Sequence, residues 1–338
     1  MGALVLMLGQ DCGFVAQVGA IYEKHKGVND WHLEHIGEIQ DLKFVEEADT
    51  VYAVSKDGLL VLFNTATQDF EWKKRLSGAG QTEPAEVFHL RYLSRNLLVF
   101  SQLRAMLVNT AGHANMEIDF GAIFGTSAVK ALQAGKATPI ADLFDFNGRI
   151  VTCFVFGNKA VLYADAQYWD AVPLDDSIDA GVTDHDVIEV LQMLYDQSTQ
   201  RLTILVRTNA NTLKSVVIEL SNLSVEIQAK VAAPAGLTAV SRTLSFFVLQ
   251  SGDRVSVVDP STLQDVHASD SPNVQTSQAD DLLLIQNAEV AKLVDLKVGD
   301  VEHKLDFASG SNSISTSGCS PLVRHEATQG TPSTIKLA

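Results

Sequence analysis

Asp49 to Leu76 reads DTVYAVSKDGLLVLFNTATQDFEWKKRL and decides the fold. Val51, Ala53 and Ser55 alternate with their neighbours as in a strand, and Lys56-Asp57-Gly58 turns the chain. Leu59 to Phe63 form a second apolar run, Asn64 to Gln68 a polar turn, and Phe70-Glu71-Trp72 begin a third strand. Phe70 and Trp72 stand two residues apart, so strict alternation places both on one face. Trp72 is expected to pack against a neighbouring unit, and Trp169 to do the same further along.

The same rhythm recurs at intervals of about 40–50 residues, the period of a β-propeller blade. One unit covers Gly37–Leu76 and a second covers Pro84–Phe120. A third begins at Ala141, a fourth spans Val187–Val231, and two more start near Leu244 and Asp281. Hairpins carry polar turns such as Gly157-Asn158-Lys159 and Ser251-Gly252-Asp253, and outer turns are built on Asn64-Thr65 or Asp259-Pro260-Ser261. The expected fold is all-β, a β-propeller of about six four-stranded blades over 21–307, with an open, incomplete ring allowed. Ser127–Lys136 is the one segment with a helical pattern, ended by Gly135. Residues 308–338 are small and polar and read as a flexible tail, or as the start of a segment beyond it.

Composition narrows the partners. The net charge of −16, from 25 basic and 41 acidic residues, disfavours nucleic acid and anionic lipid headgroups. Cys12, Cys153 and Cys319 form no CxxC pair, and Cys153 lies in the apolar run Ile150–Phe156, which favours a buried free thiol. No run of about 18 apolar residues occurs, so no span of the membrane is expected within this chain. Residues 1–20 read as a candidate signal peptide, with an apolar Ala3–Leu8 and the small residues Val18-Gly19-Ala20, although basic residues are missing from its start. Asn222-Leu223-Ser224 is a sequon for N-glycosylation.

Chemistry-bearing motifs are scarce. His32-Leu33-Glu34-His35, with Glu38, lacks the HExxH spacing of a zinc helix. His185 lies in the acidic loop Asp175–Asp186, which lacks the ligand pattern of an EF-hand. No GxSxG elbow, P-loop or GxGxxG is present. The sequence therefore predicts no catalytic residue, no metal site and no cofactor.

Ile21 to Phe44, IYEKHKGVNDWHLEHIGEIQDLKF, leads directly into the first unit. Tyr22-Glu23, Gly27, Asp30-Trp31 and Gly37 fall in the order found just after the signal peptide in subunit 1 of the ER membrane protein complex. The segment 21–76 resembles that family, whose quinoprotein-like blade also ends in a Trp, here Trp72. Lys24 departs from the acidic residue usual at that point, so no calcium or partner contact is carried over. The resemblance implies a non-enzymatic scaffold in the ER lumen. It would be membrane-associated through other subunits of the complex or a helix beyond this chain, and would support insertion of transmembrane proteins. It also implies that the chain is the beginning of a longer protein. Two alternatives stay open. One is a generic protein-interaction propeller, either cytosolic and WD-repeat-like, although the Gly-His and Trp-Asp pairs of WD repeats are nearly absent, or periplasmic and outer-membrane-assembly-like. The other is a quinoprotein dehydrogenase, disfavoured because no vicinal Cys-Cys pair is present.

Overall fold

The computed structural model describes residues 4–8, 12–17, 19–24, 31–37, 39–45, 48, 50–64, 67, 69–76, 86–125, 139–174, 187–208, 210–270, 273–276, 281–286, 290–297, 301–306, 314–317, 320–325 and 333–336. They form antiparallel sheets in which each strand pairs with the next in sequence. The first sheet holds β1 (Leu4–Leu8), β2 (Cys12–Gln17), β3 (Gly19–Lys24) and β4 (Trp31–Gly37). The second holds β5 (Ile39–Val45), β6 (Thr50–Ser55), β7 (Leu59–Asn64) and β8 (Asp69–Arg75). The third holds β9 (His89–Leu93), β10 (Asn96–Phe100), β11 (Arg104–Asn109) and β12 (Ala114–Asp119), followed by α1 (Phe120–Phe124). The fourth runs β13 (Ile140–Phe146), β14 (Arg149–Phe156), β15 (Lys159–Ala164), β16 (Gln167–Pro173).

The fifth sheet contains β17 (Val187–Asp196), β18 (Arg201–Thr208), β19 (Thr212–Glu219) and β20 (Ser224–Ala232). The sixth contains β21 (Leu237–Arg242), β22 (Phe247–Ser251), β23 (Arg254–Val258) and β24 (Asp265–Asp270). The seventh has β25 (Asn273–Thr276), β26 (Leu282–Gln286), β27 (Val290–Asp295) and β28 (Val301–Asp306). A three-stranded sheet of β29 (Ile314–Ser317), β30 (Ser320–His325) and β31 (Ser333–Lys336) follows. The chain divides into two compact units, Met1–Ala171 and Val172–Ala338.

Burial on both faces explains the unbroken apolar runs of the middle strands. In β10, Leu97 and Val99 join Tyr52, Leu60 and Leu62 of the second sheet. The intervening Leu98 and Phe100 face the fourth sheet, with Leu143 and Phe154. In the C-terminal unit, Phe247 and Leu249 of β22 pack with Leu205 and Leu213, while Val248 packs with Leu283 and Ile285. A strand covered on both sides has no polar face to alternate with, so it reads as a continuous hydrophobic run. Each such side chain contributes about 1.5–3 kcal/mol through burial.

First strands lie side by side: β9 meets β5 and β13 in the N-terminal unit, and β17 meets β21 in the C-terminal one. Outer turns, between third and fourth strands, open on an Asn or Asp whose side chain accepts the next backbone N–H groups. Asn64 Oδ1 accepts from Thr67 N–H, Asn109 Oδ1 from Ala111 and His113, and Asp259 Oδ1 from Ser261 and Thr262. These are the Asx turns that the sequence predicts.

Several expectations change. Six units become seven four-stranded sheets and one of three strands among the described residues. The added sheets lie at 4–37 and 314–336, ahead of the first expected unit and beyond the sixth. The strands at 314–336 are rich in Ser and Thr and lack the apolar alternation that marks the others. The expected helix at Ser127–Lys136 lies outside the described residues. The described helix is α1, which Asp119 caps by accepting from the Gly121 N–H at 2.6 Å. Phe120, the last residue of the second expected unit, begins that helix.

Candidate functional site

The polar and aromatic side chains that stand out cluster at the seams between sheets. Leu62 pairs with Trp72 but Phe63 pairs with Phe70, so a β-bulge at Glu71 breaks the alternation of β8. Trp72 therefore shares the face of Leu62, whereas Phe70 lies with Phe63, their rings 5.2 Å apart edge to face. The expectation that Phe70 and Trp72 share a face fails for this reason. Trp72 is half-buried against the cluster of Tyr52, Leu60, Leu62 and Val108, its ring 6.2 Å from that of Tyr52. Its Nε1–H donates to the Thr110 carbonyl, in the turn between β11 and β12, at 3.0 Å. A Cβ built on Gly112 in that turn would stand 3.0 Å from the indole, and Gly112 has φ +80°. The positive φ favours glycine there, and a Cβ would also press on the indole.

The inner end of the same seam is joined by amide and carboxylate side chains that substitute for a strand partner. Gln40 Oε1 accepts from Phe88 N–H at 2.6 Å and its Nε2 donates to the Glu86 carbonyl at 3.2 Å. Asp41 Oδ2 accepts from Leu90 N–H at 2.8 Å. His89 lies tilted against Phe100, ring centres 5.4 Å apart. Burial holds its imidazole below the ordinary 6.5, against the pull of Asp41 and helped by Arg91. Arg91 lies over Phe100 and stands 4.0 Å from the buried Asp142 of β13.

Buried charges are committed to partners. Glu86 accepts from the Ser101 hydroxyl at 2.5 Å and pairs with Arg104 at 3.0 Å. In the C-terminal unit, Asp281 accepts from Thr243 Oγ1 at 2.9 Å, Ser245 N–H at 2.7 Å and Ser245 Oγ at 2.8 Å, and lies 3.4 Å from Lys297 Nζ. Ser215 Oγ donates to the Pro260 carbonyl across the seam between β19 and the next sheet. Thr110 and Pro260 each follow the Asx residue of an outer turn, so the same carbonyl accepts from the preceding sheet in both units.

The other predicted residues have separate settings. Asp57 caps its own hairpin through Ser55 and pairs with Arg75 at 2.6 Å. Burial raises its carboxyl pKa, but the Ser55 and Arg75 hydrogen bonds outweigh that and hold it below the usual carboxylate range. Gly58, φ +72°, supplies the turn and donates its N–H to the Ser55 carbonyl at 2.9 Å. Trp169 stacks on Phe146 of its own sheet, ring centres 5.5 Å apart. Tyr22, Glu23, Trp31 and Gly37 lie in the β3–β4 ladder, opposite Leu33, His32, Lys24 and Gly19 respectively. Gly27 and Asp30 lie outside the described residues. Cys153 is free and buried, and burial and the nearby Asp142 push its thiol pKa up. Asn222 is exposed in the turn between β19 and β20.

No group of three or more His, Cys, Asp or Glu with metal-binding geometry occurs among the described residues, and no helix there is long and apolar enough to cross a membrane. Among the described residues the large exposed apolar side chains are Val87, Tyr168, Leu244 and Val266.

With this geometry the class is a β-propeller-type fold of repeated four-stranded antiparallel sheets. No family model matches the chain, and no curated protein matches it in sequence. Solved structures do resemble it. BamB from Moraxella catarrhalis aligns over 96% of this chain and 96% of its own, with 7% identity and a TM-score of 0.57. The β-propeller domain of Cps50 (Swd1) from Myceliophteria thermophila aligns over 86% of this chain and 93% of its own, with 16% identity and a TM-score of 0.54. The Dos1 propeller aligns over 90% and 82%, with 11% identity and a TM-score of 0.55. At such identities the likeness establishes the fold alone.

Proposed function

We propose that this chain is a non-enzymatic docking platform for other proteins. The observation that carries this is where the reactive side chains are used. Glu86, Asp142, Asp281 and Trp72 hold sheets to one another or stiffen the turns between strands, rather than converging on an open pocket. A fold that commits its buried charges to its own seams offers partners a rigid surface of turns and outer strands, the usual use of propellers. Purification of the tagged full chain at native abundance, with cross-linking, tests this. A stoichiometric protein partner supports the docking role, and turnover of a small molecule by the pure chain contradicts it.

A second proposal rests on the order Tyr22-Glu23, Gly27, Asp30-Trp31, Gly37 ahead of a blade ending in Trp72. It places the chain in the ER lumen, as a scaffold subunit of the ER membrane protein complex that supports insertion of transmembrane segments. Its partners would be the other subunits of that complex. Protease protection in sealed microsomes, followed by identification of the co-purifying proteins, tests it. Digestion of the chain in intact vesicles would remove it while leaving the docking role standing.

A further inference from the structure

We propose that Asn222 is a built acceptor for an N-linked glycan, an inference that rests on the lumenal proposal above. Of the asparagines in the chain, this one has a hydroxyl residue two positions on with no proline between, as Asn222-Leu223-Ser224. Asn64 and Asn109, at comparable outer turns, are each followed by Thr and then Ala, so they cap their turns without forming a sequon.

The local geometry suits the reaction. Asn222, in the turn after β19, and Ser224, the first residue of β20, are both exposed. The turn is held from below by the Glu219 carbonyl, which accepts from Leu223 N–H at 2.8 Å and from Asn222 N–H at 3.4 Å. Leu223 takes φ +58°, folding the sequon back on itself. Asn222 Oδ1 accepts from the Ser224 N–H at 2.9 Å. With Oδ1 engaged in this way, Nδ2 makes no hydrogen bond among the described residues. The acceptor amide thus belongs to an exposed residue, and Ser224, two positions on at the start of β20, is exposed as well.

The donor is a polyprenyl-diphosphate-linked oligosaccharide. A bond forms between Nδ2 and the sugar C1, the C1–O bond to the diphosphate breaks, the polyprenyl diphosphate leaves with the electron pair, and one amide proton is lost to base. The glycan would keep protein partners away from the β19–β20 turn and leave docking to other surfaces.

The test expresses the full chain with its own N-terminus in a eukaryotic cell, carrying an appended C-terminal Asn-Gly-Thr reporter. Release by peptide N-glycosidase in heavy-oxygen water is followed by peptide mass spectrometry. Heavy oxygen at both Asn222 and the reporter, with the Asn222 signal lost in N222Q and in S224A, is the expected result. S224A keeps the backbone N–H that closes the turn, so its loss of signal is independent of folding. A modified reporter beside a bare Asn222 overturns the proposal and leaves the lumenal placement intact. Neither site modified overturns the lumenal placement and this inference together.

Discussion

Trp72 Nε1 donates to the Thr110 carbonyl at 3.0 Å, linking two residues 38 positions apart in adjacent sheets. The bond lies above a cluster shared by both sheets, so indole packing and hydrogen bond act on one seam. W72F keeps most of the packing and loses the bond, at a cost of about 1 kcal/mol. W72A loses both, at a cost of about 3 kcal/mol, the low end for a large aromatic because the indole is only half-buried. Urea denaturation followed by circular dichroism checks both values. Equal stability of W72A and the parent would remove Trp72 from the seam.

Gly112 tests the same contact from the other side. G112A imposes a left-handed backbone on alanine and drives its Cβ against the indole, with an expected cost of about 1–3 kcal/mol. In a W72A background only the backbone part remains, so the second cost is smaller than the first. A double-mutant cycle measures the difference, and strict additivity would contradict the contact.

Asp281 tests the corresponding logic in the C-terminal unit. Its buried carboxylate serves Thr243, Ser245 and Lys297 together. D281A leaves these donors without their acceptor and costs about 3 kcal/mol, whereas K297A changes stability by less than about 1 kcal/mol because Lys297 is exposed. Similar effects from both substitutions, read by thermal denaturation, would count against this division.

His89 sets a pH dependence. Its folded pKa lies below the unfolded value of 6.5, so the unfolded chain binds the proton more readily. The stability that neutral His89 contributes is present above 6.5 and is lost as pH falls from there toward its folded pKa. Comparing H89Q with the parent across that window isolates this contribution: the parent's stability falls more steeply toward acid. A parent that gains stability relative to H89Q on acidification would reverse the sign.

Cys153 is buried and its thiol pKa is raised, so the reactive thiolate is suppressed twice over. Iodoacetamide is expected to leave Cys153 unmodified in the native chain and to label it in denaturant, as read by peptide mass spectrometry. Rapid native labelling would mean that β14 opens readily.

Much of the fold was legible because the middle strands are bounded by chemically explicit turns. Lys56-Asp57-Gly58 and Asp259-Pro260-Ser261 mark their hairpins through positive φ and Asx caps, both readable from residue type. The bulge at Glu71 was not readable, since one extra residue leaves the alternation of Phe70 and Trp72 looking intact while reversing their faces. The seams were only half visible. Trp72 carries its own signal, but the acceptor at Thr110 is a backbone carbonyl and has none. Gln40, Asp41 and Ser215 look like ordinary polar residues until the neighbouring sheet brings Phe88, Leu90 and Pro260 within reach.

The docking role is tested most directly by weighing the native assembly. The tagged full chain is purified at its natural abundance under mild detergent and its mass is measured by native mass spectrometry. The account predicts a defined complex with other proteins at fixed stoichiometry, which W72A depletes as the seam opens. Recovery of the chain alone, at its own mass and unaffected by W72A, would contradict it.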